Sequence, residues 1–83
     1  MLEAEIKVTL KKLVADPQGL VIKHALDSLG YKDIEKVRAG KFFILQLKTN
    51  DKAKAQEEAK EMCEKLLVNP VIEEYSFEIK EIK

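Results

Sequence analysis

The sequence predicts an α+β domain in which four antiparallel strands form one sheet and two helices cover one of its faces. Three observations lead there. Leu2 to Leu10 and a stretch from about Val71 to Ile82 alternate apolar and polar residues, the period of a strand with one buried face. Two segments opening at Asp16-Pro17 and at Asn50-Asp51 carry apolar residues at helical spacing behind residues that cap helices. Between them, Ile34 to Arg38 and Lys41 to Lys48 read as two strands joined at Ala39-Gly40, where glycine supplies a permissive backbone.

The elements follow in order. In the first strand Leu2, Ala4, Ile6, Val8 and Leu10 face one way, and Glu3, Glu5, Lys7 and Thr9 the other. Asp16 caps the first helix, and Pro17 lacks the N–H that a first helical position would leave orphaned. Gly30 closes that helix where the chain commonly turns left-handed. Its apolar stripe, Ile22, Ala25, Leu26 and Leu29, needs a sheet to cover it. In the third strand Phe43, Leu45 and Leu47 share a face, yet Phe42 and Ile44 on the opposite face are also large and apolar. A strand of that kind is buried on both sides or marks a contact surface. The second helix carries Ala55, Ala59, Met62, Cys63, Leu66 and Leu67 at helical period and ends at Asn69-Pro70. In the last strand Val71, Tyr75, Phe77 and Ile79 alternate with Ile72, Glu74, Ser76, Glu78 and Lys80. Right-handed crossovers put both helices on the same face of the sheet, a ferredoxin-like βαββαβ layout. Its second face would carry Phe42, Ile44 and Ile72 or Ile82. A second protein surface is expected to cover it, so that the chain oligomerises through the sheet surface or its edges.

At 83 residues the chain makes one domain, residues 1–83, and a domain this short buries little enough surface that a partner adds substantially to its stability. Fifteen basic and fifteen acidic residues cancel, and neither sign gathers in one half. The excess positive charge that drives binding to phosphate backbones is therefore missing, and a nucleic-acid partner is not expected. One cysteine, Cys63, permits no internal disulfide. The sequence shows neither a charged-then-apolar leader nor a run of 18 apolar residues, so a cytoplasmic chain without a membrane partner is expected.

Few side chains invite chemistry. His24 beside the first stripe has no serine, carboxylate dyad or second histidine spaced to work with it, and reads as an interface or surface residue. Cys63 on the apolar side of the second helix reads as a small buried hydrophobe, and one Cys with one His cannot supply four zinc ligands. No catalytic, cofactor-binding or metal-binding residue is expected. Arg38 is the only arginine among the fifteen basic residues, and it stands beside the turn that leads to Lys41; its planar fork suits interfacial carboxylates. Gln18-Gly19 lies at a helix N-terminus, where free N–H groups accept anions, but one glycine without a following Lys-Ser or Lys-Thr is no phosphate loop. Gln18, Gly19, His24, Arg38, Lys41, Phe42 and Ile44 are the candidate interface residues.

Four ordered motifs go further: Asp16-Pro17-Gln18-Gly19, His24-Ala25-Leu26-Asp27-Ser28-Leu29-Gly30-Tyr31, Val37-Arg38-Ala39-Gly40-Lys41, and the run from Met62 to Glu73. Together they resemble the PurS family, small subunits of phosphoribosylformylglycinamidine synthase, over the whole length of the chain. The resemblance implies a subunit with no active site and no cofactor of its own. Such a subunit forms a homodimer or homotetramer and joins a glutaminase subunit to a large synthetase subunit that uses ATP and magnesium. The assembled enzyme converts formylglycinamide ribonucleotide, glutamine and ATP to formylglycinamidine ribonucleotide. Two other classes share the layout. An RNA-binding sheet would need a basic surround and an aromatic motif that Phe42 lacks. A small-molecule-sensing regulatory domain is the alternative, and it predicts a tight ligand for the isolated chain.

Overall fold

The computed structural model describes residues 1–82. Strand β1 (Leu2–Leu10) is followed by helix α1 (Pro17–Ser28), strand β2 (Gly40–Leu47), helix α2 (Lys52–Met62), a single π-helical turn (Cys63–Leu67) and strand β3 (Glu73–Glu81). The sheet is antiparallel with order β2-β1-β3, so the first strand lies in the middle. Alternation along β1 decides its faces: Leu2, Ala4, Ile6 and Val8 are buried, and Glu3, Glu5, Lys7 and Thr9 point the other way. Residues in register with the buried set, Phe43, Leu45 and Leu47 on β2 and Tyr75, Phe77 and Ile79 on β3, complete the apolar face. Helix α2 lies over β1 and β3 and covers that half with Ala55 and Ala59, and Cys63 and Val68, from the turn that follows it, are buried there too.

The sheet has three strands, where the sequence predicts four. Residues 31–39 carry no regular structure, so the expected strand from Ile34 to Arg38 and its hairpin into Lys41 do not form. Ile34 and Val37 stand three apart, which gives no alternation for a sheet to select. Partners elsewhere take the segment's polar groups. The Ala39 N–H donates to Asp16 Oδ2 at 2.7 Å, and Arg38 donates to carbonyls of residues 10–14.

Nor do both helices cover the sheet. Helix α1 makes only marginal contact with it, and of its twelve residues only Gly19 is buried. The expected ferredoxin-like sandwich is open on one side. Its Cα radius of gyration of 16.3 Å exceeds the roughly 12 Å of a compact chain this long, and its extents are 48 × 31 × 14 Å.

The second sheet face is also less apolar than expected. Phe42 and Ile44 stand on it, 52% and 55% exposed, but their neighbours are Glu3, Glu5, Lys7, Glu74, Ser76, Glu78 and Lys80. Ile72 sits in the turn before β3 and Ile82 follows its end, so neither adds to that face. Lys80 pairs with Glu5 across the β1–β3 ladder at 2.9 Å, a contact suited to water.

Helix α2 ends at Met62, and six residues separate it from Asn69-Pro70. From Cys63 the chain makes one wider turn, with Val68 N–H donating to Cys63 O at 3.0 Å, five residues back. The wider turn decides which leucine points inward. Leu67 is half-buried against the core, and Leu66 is 83% exposed.

Candidate interaction surface

Residues 11–39 form an arm that leaves the end of β1, runs through α1 and returns to the start of β2. Its helix is well made locally. Asp16 Oδ1 accepts from Gly19 N–H at 2.9 Å, and Pro17 occupies the first helical position. At the other end Gly30 adopts φ 102°, its N–H donates to Asp27 O, and Tyr31 N–H donates to Leu26 O. That pair of bonds with a left-handed glycine is the Schellman closure.

Three residues fasten the arm to the sheet end. Asp16 is buried, and its second oxygen accepts from Ala39 N–H, so one carboxylate joins the start of α1 to the start of β2. Arg38 donates to Val14 O at 3.0 Å, Lys11 O at 2.9 Å and Leu10 O at 3.3 Å, using its fork to set the path of residues 10–14. Gly19 lets the helix approach the return segment closely, since a Cβ there would lie 2.2 Å from Val37 O. The backbone N–H groups of Ala39 and Gly19 hold the Asp16 carboxyl below the usual carboxylate range. A depressed folded-state pKa means that the stabilisation is fully present above the unfolded value of about 4 and is lost as pH falls through the folded value. Acid titration should therefore weaken amide-exchange protection in Pro17–Ser28 below about pH 4. Asp27, paired with Lys23 at 2.9 Å on the same helix, titrates in the same direction. The readout is thus the difference between wild type and Asp16→Asn, and identical titrations would remove Asp16 as the fastening group.

The arm leaves two apolar surfaces bare. On α1 Leu26 is half-buried, while Val21, Ala25 and Leu29 form a row at i, i+4, i+8 that faces water. Val21 is 69% and Leu29 73% exposed. On the helix-bearing face of the sheet, α2 does not extend over β2. An open groove of about 400 Å³ remains, lined by Leu45, Met62, Leu66 and Leu67 with Glu58, Glu61 and Lys65 at its rim.

The residues singled out in the sequence fall in different places. Gly19 and Arg38 belong to the fastening, and Gln18 is exposed beside them. Lys41 pairs with Glu73 at 3.5 Å across the end of β1. His24 is exposed on α1, and Phe42 and Ile44 share the outer face of β2. They do not converge on one patch. Burial pushes the Cys63 thiol up, with the Glu64 charge adding to the shift, and the side chain is sealed under α2. Among the described residues no group of three His, Cys, Asp or Glu side chains is placed to hold a metal, and no helix is long and apolar enough to cross a membrane. Sequence reasoning missed Val21 and placed Ala25, Leu29 and Leu66 on stripes to be covered, whereas all three are exposed. The available signal was the width of the stripe: with Val21 included, apolar positions on α1 cover more of its circumference than one packing contact uses.

The sequence profile of PurS, described as phosphoribosylformylglycinamidine (FGAM) synthase, matches residues 3–81. The chain belongs to the PurS family. The PurS subunit of phosphoribosylformylglycinamidine synthase from Bacillus subtilis (strain 168) is 43% identical over 82 residues, spanning 99% of this chain and 96% of that one. Methanocaldococcus jannaschii PurS, one of the subunits of formylglycinamide ribonucleotide amidotransferase in the purine biosynthetic pathway, superposes with a TM-score of 0.91. It is 36% identical, with both chains covered completely. A chain in the structure of PurLQS from Thermotoga maritima superposes with a TM-score of 0.84 at 36% identity, covering 96% of this chain and 99% of that one. Over nearly its whole length the backbone of this chain thus superposes on those of two solved PurS chains.

Proposed function

We propose that this chain is the non-catalytic PurS subunit of phosphoribosylformylglycinamidine synthase in purine biosynthesis, holding the glutaminase subunit against the synthetase subunit so that ammonia passes between them. The observation that carries the reading is the end-to-end match in sequence and backbone to PurS subunits, one of them in a PurLQS assembly. The physical case for an adaptor follows from the reagent. Ammonia released by glutamine hydrolysis becomes non-nucleophilic ammonium once water protonates it, so the two sites must be docked and closed to solvent. In this reading the chain acts in the cytoplasm as a homodimer or homotetramer, and the synthetase subunit holds the ATP and magnesium.

The surface supports association. The chain exposes 6424 Å², where a compact monomer of 9.5 kDa would expose about 5,000 Å². The test reconstitutes the glutaminase and synthetase subunits with and without this chain and assays product formation with glutamine or with ammonium salt as nitrogen source. Omitting the chain should lower the glutamine-dependent rate at least ~10-fold and the ammonia-dependent rate much less. Equal losses would sink the coupling role.

A further inference from the structure

Building on the adaptor reading above, we infer that two turns at one end of the sheet, Lys11–Val14 and Asn69–Ile72, form the surface by which this chain docks a non-identical subunit of its enzyme. Leu13 and Val71 enter an apolar cleft of that subunit, and Lys12 and Lys36 meet carboxylates at its rim.

The two turns are built alike. Val14 N–H donates to Lys11 O at 2.9 Å and Ile72 N–H to Asn69 O at 3.2 Å, which puts Leu13 and Val71 each at the third position of a hydrogen-bonded turn. Gly, Asn, Asp and Ser ordinarily dominate such turns, because they suit the turn backbone and tolerate water. Here both side chains are apolar, and Leu13 is 101% and Val71 77% exposed, so neither contributes to the core. A single exposed leucine needs no explanation. Two apolar tips on joined turns do. Lys11 makes the joint: its N–H donates to Ile72 O at 2.9 Å and its Nζ to Pro70 O at 2.8 Å.

Both tips are also held firmly. The only arginine of the chain, Arg38, donates to the carbonyls of Leu10, Lys11 and Val14, on either side of Leu13. Asn69 Oδ1 accepts from Val71 N–H at 3.1 Å. None of this fixes an apolar contact within the chain, whereas turns ordered in advance lose little freedom when a partner covers them.

Charge selects the partner. The chain as a whole is neutral, but an open hollow of about 340 Å³ beside the first turn is lined by Lys12, Leu13, Lys36 and Arg38. Of the carboxylates there, Asp16 is buried against two N–H donors and Glu35 faces water. Among the described residues neither Lys12 nor Lys36 has a carboxylate partner. A surface that covers this end must therefore bring negative charge. A second copy fits poorly: two-fold pairing would set these lysines against their own counterparts, and a head-to-tail contact that does not close would leave an open string of copies.

Leu13→Asp, and Lys12→Glu combined with Lys36→Glu, test the surface, because all three side chains already face solvent. Calorimetric titration of the full chain into a mixture of the purified glutaminase and synthetase subunits reads affinity, and sedimentation equilibrium of the chain alone reads self-association. Leu13→Asp should weaken binding at least ~30-fold. The double lysine variant should weaken it at least ~10-fold and lose most of the salt dependence that the wild type shows. Self-association and the far-UV circular dichroism spectrum should match the wild type in both. Variants that bind as the wild type does, or whose self-association falls, would overturn this surface and leave the adaptor reading in place. A wild type that binds neither subunit would overturn the adaptor reading and the surface with it.

Discussion

Gly19→Ala is expected to detach α1 from the return segment and to cost the protein about 2 kcal/mol, although alanine is the better helix former. Two effects oppose one another. Replacing glycine in a helix gains about 1 kcal/mol through propensity and a less flexible unfolded chain. Against this, the new Cβ would lie 2.2 Å from Val37 O and 3.0 Å from Val37 C, and these are backbone atoms with no rotamer to turn away. Overpacking that moves backbone costs about 3 kcal/mol or more, so the steric term wins. The damage should be local. Amides in Pro17–Ser28 should lose exchange protection while the β1–β3 ladder keeps it, because the sheet core does not touch Gly19. Assembly should suffer in proportion, since a loose arm must be ordered again before it can dock. Stability equal to or above wild type would show that Val37 yields and that the fastening is not tight.

What the sequence disclosed divides along the range of the interaction. The caps at Asp16, Gly30 and Asp51, the alternation of β1 and β3 and the core stripe of α2 are encoded within a few residues of where they act, and all were legible. The missing strand was not. Ile34 to Arg38 has strand-forming residues, but its conformation is decided by Asp16 and by carbonyls more than twenty positions away. The π turn was illegible for a similar reason: α-helical period places both Leu66 and Leu67 on the apolar stripe, and the wider turn keeps only Leu67 against the core. Periodicity announced that α1 has an apolar face and said nothing about which chain would cover it. Of the candidate interface residues, Phe42 and Ile44 are exposed on the outer sheet face, whereas Arg38 is engaged by its own chain. Family membership was legible because it rests on ordered motifs rather than on packing.

The thinness of the core leads to the second large effect. Ile6 is fully buried at the centre of β1, in register with Phe43 on one side and Phe77 on the other and roofed by Ala59 and Cys63. Neither small roofing residue can fill a cavity beneath it, so Ile6→Ala should cost about 3–4 kcal/mol. A chain of this size holds a total of only about 4–12 kcal/mol, and the loss is a large part of it. If the folded state is chiefly a dimer, that loss is recoverable by mass action, because each tenfold rise in chain concentration favours the folded pair by about 1.4 kcal/mol. The urea midpoint of Ile6→Ala should therefore rise steadily between 1 and 100 μM chain, parallel to the wild type and displaced below it. Midpoints that ignore concentration in both Ile6→Ala and wild type would mean that the lone protomer carries its own stability.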